Sequence, residues 1–374
     1  MTDDISIRIP ANLLPADGRF GCGPTRVRDE TLGDLAGIGS SYMGTSHRRT
    51  TVRAMVGRVR QGLADLYDLP DGYEVVLGNG GATGFWDAAT FGLIERASQH
   101  LAFGEFSSKF ARAVAGAPHL EPPQVIEAVP GTHPLPVPSD GIDLYALTHN
   151  ETSTGVTMPV KRVEAAGLTV VDATSAAGGI PVAPEEFDVY YFSPQKAFGG
   201  DGGLFVALCS PRAIERIERI ATSGRWIPPF LSLSSAVSNS RKDQTYNTPA
   251  LATIFMLAHS LEWINQQGGF AWVSERCARN ASILYGWAEA HPMAYPFVSD
   301  PSIRSQVTAT IDFERPVSGD HLAATLRANG VVDTESYRKL GRNQLRIGIW
   351  PTIPPSDVEA LVACLDYVIE QTLD

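Results

Sequence analysis

Lys196 closes the segment Ser193-Pro194-Gln195-Lys196 and is followed by Gly199-Gly200-Asp201-Gly202-Gly203. A lysine just past an apolar run sits at a sheet edge, beside backbone freed by glycines. Burial there disfavours the ammonium and makes a neutral, nucleophilic amine available to an aldehyde. The same four residues also suit an exposed lysine in a turn, so this motif alone leaves both readings open.

A second group narrows the choice. In Val170-Val171-Asp172-Ala173-Thr174-Ser175 an aspartate ends an apolar run 24 residues before Lys196. A carboxylate beside the ring nitrogen of pyridoxal phosphate keeps that nitrogen protonated, and the protonated ring accepts the electrons of a substrate carbanion. An aspartate followed by Ala-Thr-Ser equally suits a helix N-cap. The spacing to Lys196 favours the cofactor role. A third group, Leu77-Gly78-Asn79-Gly80-Gly81-Ala82-Thr83, reads as a strand entering a glycine turn and then a helix over residues 84–95. Exposed N–H groups at a helix N-terminus, with a threonine hydroxyl, hold a phosphate. The Gly-Lys-Ser/Thr ending of a P-loop is missing, and so is the acidic residue of a dinucleotide fingerprint.

Other chemistries find no support. The histidines, among them His47, His119, His133, His149, His259 and His321, show no His-x-x-x-His spacing, and no metal is expected. No Gly-x-Ser-x-Gly elbow occurs. Lys and Arg total 30 against 41 Asp and Glu, a formal charge of -11. That disfavours nucleic acid or an anionic membrane as partner, though not a local cationic pocket for a small anion. Cys22, Cys209, Cys277 and Cys364 are scattered and read as reduced thiols. The acidic start Met1-Thr2-Asp3-Asp4 does not read as a secretory signal, and no run of about 18 apolar residues spans a membrane. The expectation is a cytoplasmic protein.

The elements that must position these groups follow from hydrophobic patterning. Short apolar runs at 74–77, 101–103, 125–128, 144–148, 169–172, 189–193 and 204–209 suit buried, largely parallel strands of an α/β domain. Residues 250–267 and 270–290 read as helices parted by Gly268-Gly269, with Pro249 in the first turn of the former. The stripe Leu251, Ile254, Phe255, Ala258 and Leu261 falls at helical spacing and reads as core or dimer interface. Strands at 307–313 and 344–349, a helix at 321–329 ended by Gly330, and a last helix capped by Ser356 complete a small α+β domain. The expected division is 20–265 for the large domain and 266–374 for the small one, with 1–19 packed on the latter.

Gly80-Gly81-Ala82-Thr83, Asn150-Glu151-Thr152, Val171-Asp172-Ala173 and Ser193-Pro194-Gln195-Lys196 together resemble segments of the phosphoserine aminotransferase family, within the class V, fold-type I aminotransferases. Thr45-Ser46-His47-Arg48 and Asn247-Thr248-Pro249 carry the resemblance from class V generally to this family. It covers nearly the whole chain in order. The resemblance implies a mainly parallel large domain, a small C-terminal domain and a homodimer with shared active sites. It implies that Lys196 carries pyridoxal phosphate as a Schiff base and shuttles the substrate proton. Asp172 would pair the pyridine nitrogen, Thr152 would bond near the phenolic oxygen, and Phe106 would stack on the ring. Ala82, Thr83 and Gln195 would hold the phosphate, joined by the partner's copies of Asn247 and Thr248. Arg48 and Arg346, helped by His47 and Arg338, would bind the substrate carboxylate and its phosphate or second carboxylate. L-Glutamate would donate to 3-phosphohydroxypyruvate in serine biosynthesis. 3-Hydroxy-2-oxo-4-phosphobutanoate, of vitamin B6 synthesis, would be a further acceptor.

Two departures matter. The ring-stacking position is commonly Trp in the family and is Phe106 here, a smaller face that still stacks. The stretch from Tyr337 to Arg346 is longer than the family's, which leaves Arg338 and Arg342 as alternatives for one role. The nearest rivals share the cofactor: a serine– or alanine–glyoxylate aminotransferase, or a cysteine desulfurase. The last needs a mobile cysteine, whereas Cys277 and Cys364 fall in helical patterns. A cofactor-binding module without catalysis and a dinucleotide-dependent oxidoreductase are the rivals from other classes.

Overall fold

The computed structural model describes residues 7–373; the acidic start read above for targeting lies outside them. Helices α1 (Asp29–Tyr42) and α2 (Thr50–Tyr67) precede β1 (Glu74–Asn79), α3 (Gly81–Gly92), β2 (Ser98–Ala102) and α4 (Glu105–Ala115). Then come β3 (Gln124–Glu127), β4 (Leu144–Thr148), a small ladder of β5 (Asn150–Glu151) and β6 (Val156–Thr157), β7 (Leu168–Asp172), β8 (Val189–Phe192) and β9 (Leu204–Cys209). Helices α5 (Pro211–Ala221), α6 (Leu233–Ser240), α7 (Leu251–Gln267) and α8 (Gly269–Ala290) follow. The chain ends with β10 (Ala294–Pro296), β11 (Thr308–Phe313), α9 (Gly319–Ala328), β12 (Gln344–Gly348) and α10 (Pro355–Leu373).

All seven strands expected between residues 74 and 209 form one sheet, in the order β1-β9-β8-β7-β4-β2-β3. Pairing is parallel except at β9, which runs antiparallel to both β8 and β1. Alternate side chains feed two cores, as a sheet covered on both faces requires. Val76, Val189 and Tyr191 face one layer with Phe85 and Trp86 of α3 and Phe110 of α4. Val75, Leu77, Tyr190 and Phe192 face the other with Val59 and Leu63 of α2 and Leu257 and Leu261 of α7.

The topology puts the ends of β1, β2, β4, β7 and β8, and the start of β9, on one edge. Ligands bind at that carboxyl edge of open α/β sheets.

A three-stranded antiparallel sheet, β10-β11-β12, packs with α8, α9 and α10. The chain start docks here. Ile9 N–H donates to Asn329 Oδ1 at 3.0 Å, and Phe20 exchanges bonds with Val332 and Gly348.

Some boundaries differ from the sequence expectation. The helix expected at 84–95 begins at Gly81, because Gly80 takes φ 110° and turns the chain straight off β1. Pro249 stands before α7, whose first residue is Leu251. Ser356 is inside α10 and not its cap, since Pro355 fits the first helical position without an N–H to lose. The break between α7 and α8 falls where expected, on Gly268 at φ 116°. Helices α1, α2, α4, α5 and α6 had no counterpart among the expected elements, and α6 falls in a stretch, 232–248, that reads as a loop.

Candidate active site

A cavity of about 460 Å3 opens at the carboxyl edge, lined by Gly80, Gly81, Ala82 and Thr83, by Lys196, Asp172, Thr152, Phe106 and Gln195, and by Tyr337 and Arg346. Most of these residues meet because the strands before them end on the same edge of the large sheet; Arg346 comes from β12 of the small sheet.

Lys196 follows β8 and is 7% exposed. Its Nζ donates to Thr152 Oγ1 at 2.7 Å and stands 5.1 Å from the Phe106 ring centroid. Burial pulls the amine down to about 8, although the Asp172 charge pulls the other way. Gly23 makes this packing possible: it sits at φ 132°, and a Cβ there would come within 2.7 Å of Lys196 Cε.

Asp172 ends β7 and is 6% exposed. Its Oδ1 accepts from the Thr174 N–H at 2.9 Å, and its Oδ2 lies 3.3 Å from Trp86 Nε1, which also donates to the Tyr191 hydroxyl at 2.8 Å. Burial pushes the carboxyl up, and the Thr174 N–H opposes that rise. A cation set against this carboxylate would keep it ionised.

Phe106 is held through Glu151. That side chain is fully buried and accepts from Ser107 N–H at 2.8 Å, Ser107 Oγ at 2.9 Å and Ser153 Oγ at 2.7 Å. A carboxylate over the first turn of α4 satisfies open N–H groups and opposes the positive end of the helix dipole. Arg346 projects from β12, its Nη1 3.4 Å from Thr152 O and its guanidinium 5.2 Å from the Tyr337 ring.

Several expected site residues stand elsewhere. His47 and Thr248 meet at 3.3 Å between Nδ1 and Oγ1, and Asn247 accepts from Asn79. His47, Arg48, Asn247 and Thr248 do not line the cavity of their own chain. Arg338 is exposed and lines an adjoining cleft that shares Tyr337 and Arg346 with the cavity. Arg342 is drawn off the alternative: its Nε donates to Asp312 Oδ2 at 2.8 Å, and it stacks 4.5 Å over Phe297. The sequence reading had passed over Trp86, Lys109 and Tyr337. Trp86 and Lys109 were findable as helical neighbours of residues already singled out, Trp86 three after Thr83 and Lys109 three after Phe106.

The donor set suits a phosphorylated pyridine aldehyde. Buried Ser193 Oγ and Gln195 Oε1 have no partner among the described residues. Both line the cavity beside the N-terminus of α3, where N–H groups favour an anion. Asp172 and Lys196 supply an acceptor for a ring N–H and an amine for an aldehyde.

A family model for class V aminotransferases matches residues 138–334. A phosphoserine aminotransferase of Nocardioides sp. is 57% identical over 374 residues, covering 99% of this chain and all of the relative. One of Rhodococcus jostii is 57% identical over 365 residues, covering 97% of this chain and 98% of the relative. The crystal structure of a phosphoserine aminotransferase from Cytophaga hutchinsonii superposes with a TM-score of 0.86 at 25% identity, over 94% of this chain and 99% of that one.

Proposed function

The chain belongs to the phosphoserine aminotransferase family of class V aminotransferases, and we propose that its cavity moves the amino group of L-glutamate to 3-phosphohydroxypyruvate, giving O-phospho-L-serine and 2-oxoglutarate. The observation that carries this reading is the placement of Lys196, Asp172 and Arg346 in the lining of one cavity. Pyridoxal phosphate, when bound, supplies the aldehyde that takes up the amine and the ring that accepts the electron pair from the substrate's α carbon.

The protein's side chains do the rest. Lys196 Nζ would move the proton between the substrate's α carbon and the cofactor, and its lowered pKa raises the share of neutral amine that can accept it. Asp172 would accept a hydrogen bond from the ring N–H and hold its proton there. Thr152, already bonded to Lys196, would donate to the phenolic oxygen. Phe106 would cover a ring face, while Ala82, Thr83 and Gln195 would hold the phosphate. Arg346 forks onto one anionic end of the substrate, a geometry that suits carboxylate and phosphate alike.

The remaining expected residues belong to a homodimer on this reading. His47, Arg48, Asn247 and Thr248 gather outside their own cavity, beside a hollow lined by Phe230 and Tyr246. These two aromatics are 53% and 46% exposed, which suits a surface that a second copy covers. From there the four residues would complete the partner's site, with Arg48 meeting substrate and Asn247 and Thr248 meeting phosphate. Arg338, in the adjoining cleft, would meet substrate on entry. We take residues 20–265 and 266–374 as the two domains. Four free, buried cysteines fit a cytoplasmic setting, and no helix among the described residues is long and apolar enough to cross a membrane.

The test is a coupled assay of amino transfer from glutamate, with 3-phosphohydroxypyruvate run beside glyoxylate and pyruvate. The reading expects kcat/KM highest for the phosphorylated acid. A preference for glyoxylate or pyruvate overturns the substrate and leaves the cofactor chemistry standing.

A further inference from the structure

An acceptor with a carboxylate at one end and a phosphate at the other needs cations at both ends. Among the described residues, this chain lines the cavity with three cationic side chains: Lys196, Arg346 and Lys109. Lys196 is committed to the reacting carbon, and on the reading above Arg346 and the partner's copy of Arg48 meet the substrate's anionic ends. Lys109 has no part in the chemistry so far.

Lys109 stands one helical turn after Phe106, so the two share a face of α4. Its Nζ lies 5.1 Å from the Phe106 ring centroid. The ordinary explanation would be an ion pair with Glu105, four residues before it. That pair spans 3.8 Å and is the loosest of three on the same carboxylate. Lys339 holds Glu105 Oε1 at 2.6 Å, and Arg112 stands at 3.5 Å. One negative charge therefore faces three positive ones beside the cavity, which only Lys109 of the four lines, and Lys109 is the least neutralised. In a chain of formal charge -11, this is a local cationic funnel.

We propose that Lys109 sets specificity for phosphorylated acceptors, its ammonium leaving Glu105 to pair with the substrate phosphate. The inference rests on the acceptor named above. A mobile lysine, held by a weak pair it can abandon, gains a charge-assisted hydrogen bond that a non-phosphorylated acid does not offer.

The experiment compares kcat/KM for 3-phosphohydroxypyruvate and hydroxypyruvate in the cofactor-loaded wild type, Lys109→Gln and Lys109→Arg. Lys109→Gln should lower the ratio of the two values about 10- to 100-fold, through KM for the phosphorylated acid, and Lys109→Arg should restore most of it. Cofactor content and thermal unfolding are read on the same samples. An unchanged ratio overturns the proposal, whether both values hold or both fall together. A fall in cofactor content that accounts for the loss overturns it too. A wild type that does not prefer the phosphorylated acid refutes the acceptor itself, before any variant is compared.

Discussion

Lys196 Nζ and Thr152 Oγ1 are 2.7 Å apart, and both side chains are buried. The bond ties the segment after β8 to the β5–β6 ladder, and burial holds the amine at about 8.

That burial has a stability consequence in the cofactor-free protein. The amine titrates near 8 when folded and near 10.5 when unfolded, so between these values the unfolded chain binds more protons. Stability should therefore rise as pH goes from about 8 to about 10.5 and be lowest, from this group, below 8. Lys196→Met removes the penalty and should be more stable at pH 7 by on the order of 3 kcal/mol. Urea unfolding at pH 7 and pH 9.5 checks this; the gap between variant and wild type must narrow at the higher pH.

Asp172→Asn should fold normally and bind cofactor while losing turnover by orders of magnitude. The amide keeps the Thr174 contact, but carries no charge to hold a ring proton. Near-normal turnover would mean that another carboxylate serves the ring.

Glu151→Gln should destabilise the protein by about 2–4 kcal/mol, read from denaturant midpoints at constant slope. Ser107 N–H and Ser153 N–H now donate to different oxygens of the carboxylate, so the NH2 of the new amide would have to face one of these donors. Because Phe106 rides on the same turn, cofactor affinity should fall as well.

Shared sites predict complementation. Lys196→Ala and the double variant Asn247→Ala, Thr248→Ala, each inactive alone, are refolded together. In a mixed dimer one site inherits both defects and the other none. Random pairing makes half the dimers mixed, so about a quarter of all sites should recover. If all three residues serve one chain's site, no activity returns from properly mixed dimers. The double variant must first be shown folded.

Much of this was readable in the chain itself. Seven short apolar runs determined seven strands, because period and length leave few other solutions for such segments; six are buried as expected, while β3 at the sheet edge is mostly exposed. Lys196, Asp172 and the Gly80-Gly81 turn were legible because each lies within a few residues of a strand end, a local relation. What the sequence left undecided is non-local. Arg338 and Arg342 differ by four positions, and only the fold showed that Asp312, thirty residues before Arg342, takes its guanidinium. Trp86 looked like any helix residue until α3 crossed the sheet and set its indole beside Asp172, 86 positions away. His47 and Thr248, 201 positions apart, proved neighbours on a face outside their own cavity. Local patterning shows that an element exists and of what type, while its bounds shift with context; which side chains meet depends on strand order and crossing, and no local stretch encodes those.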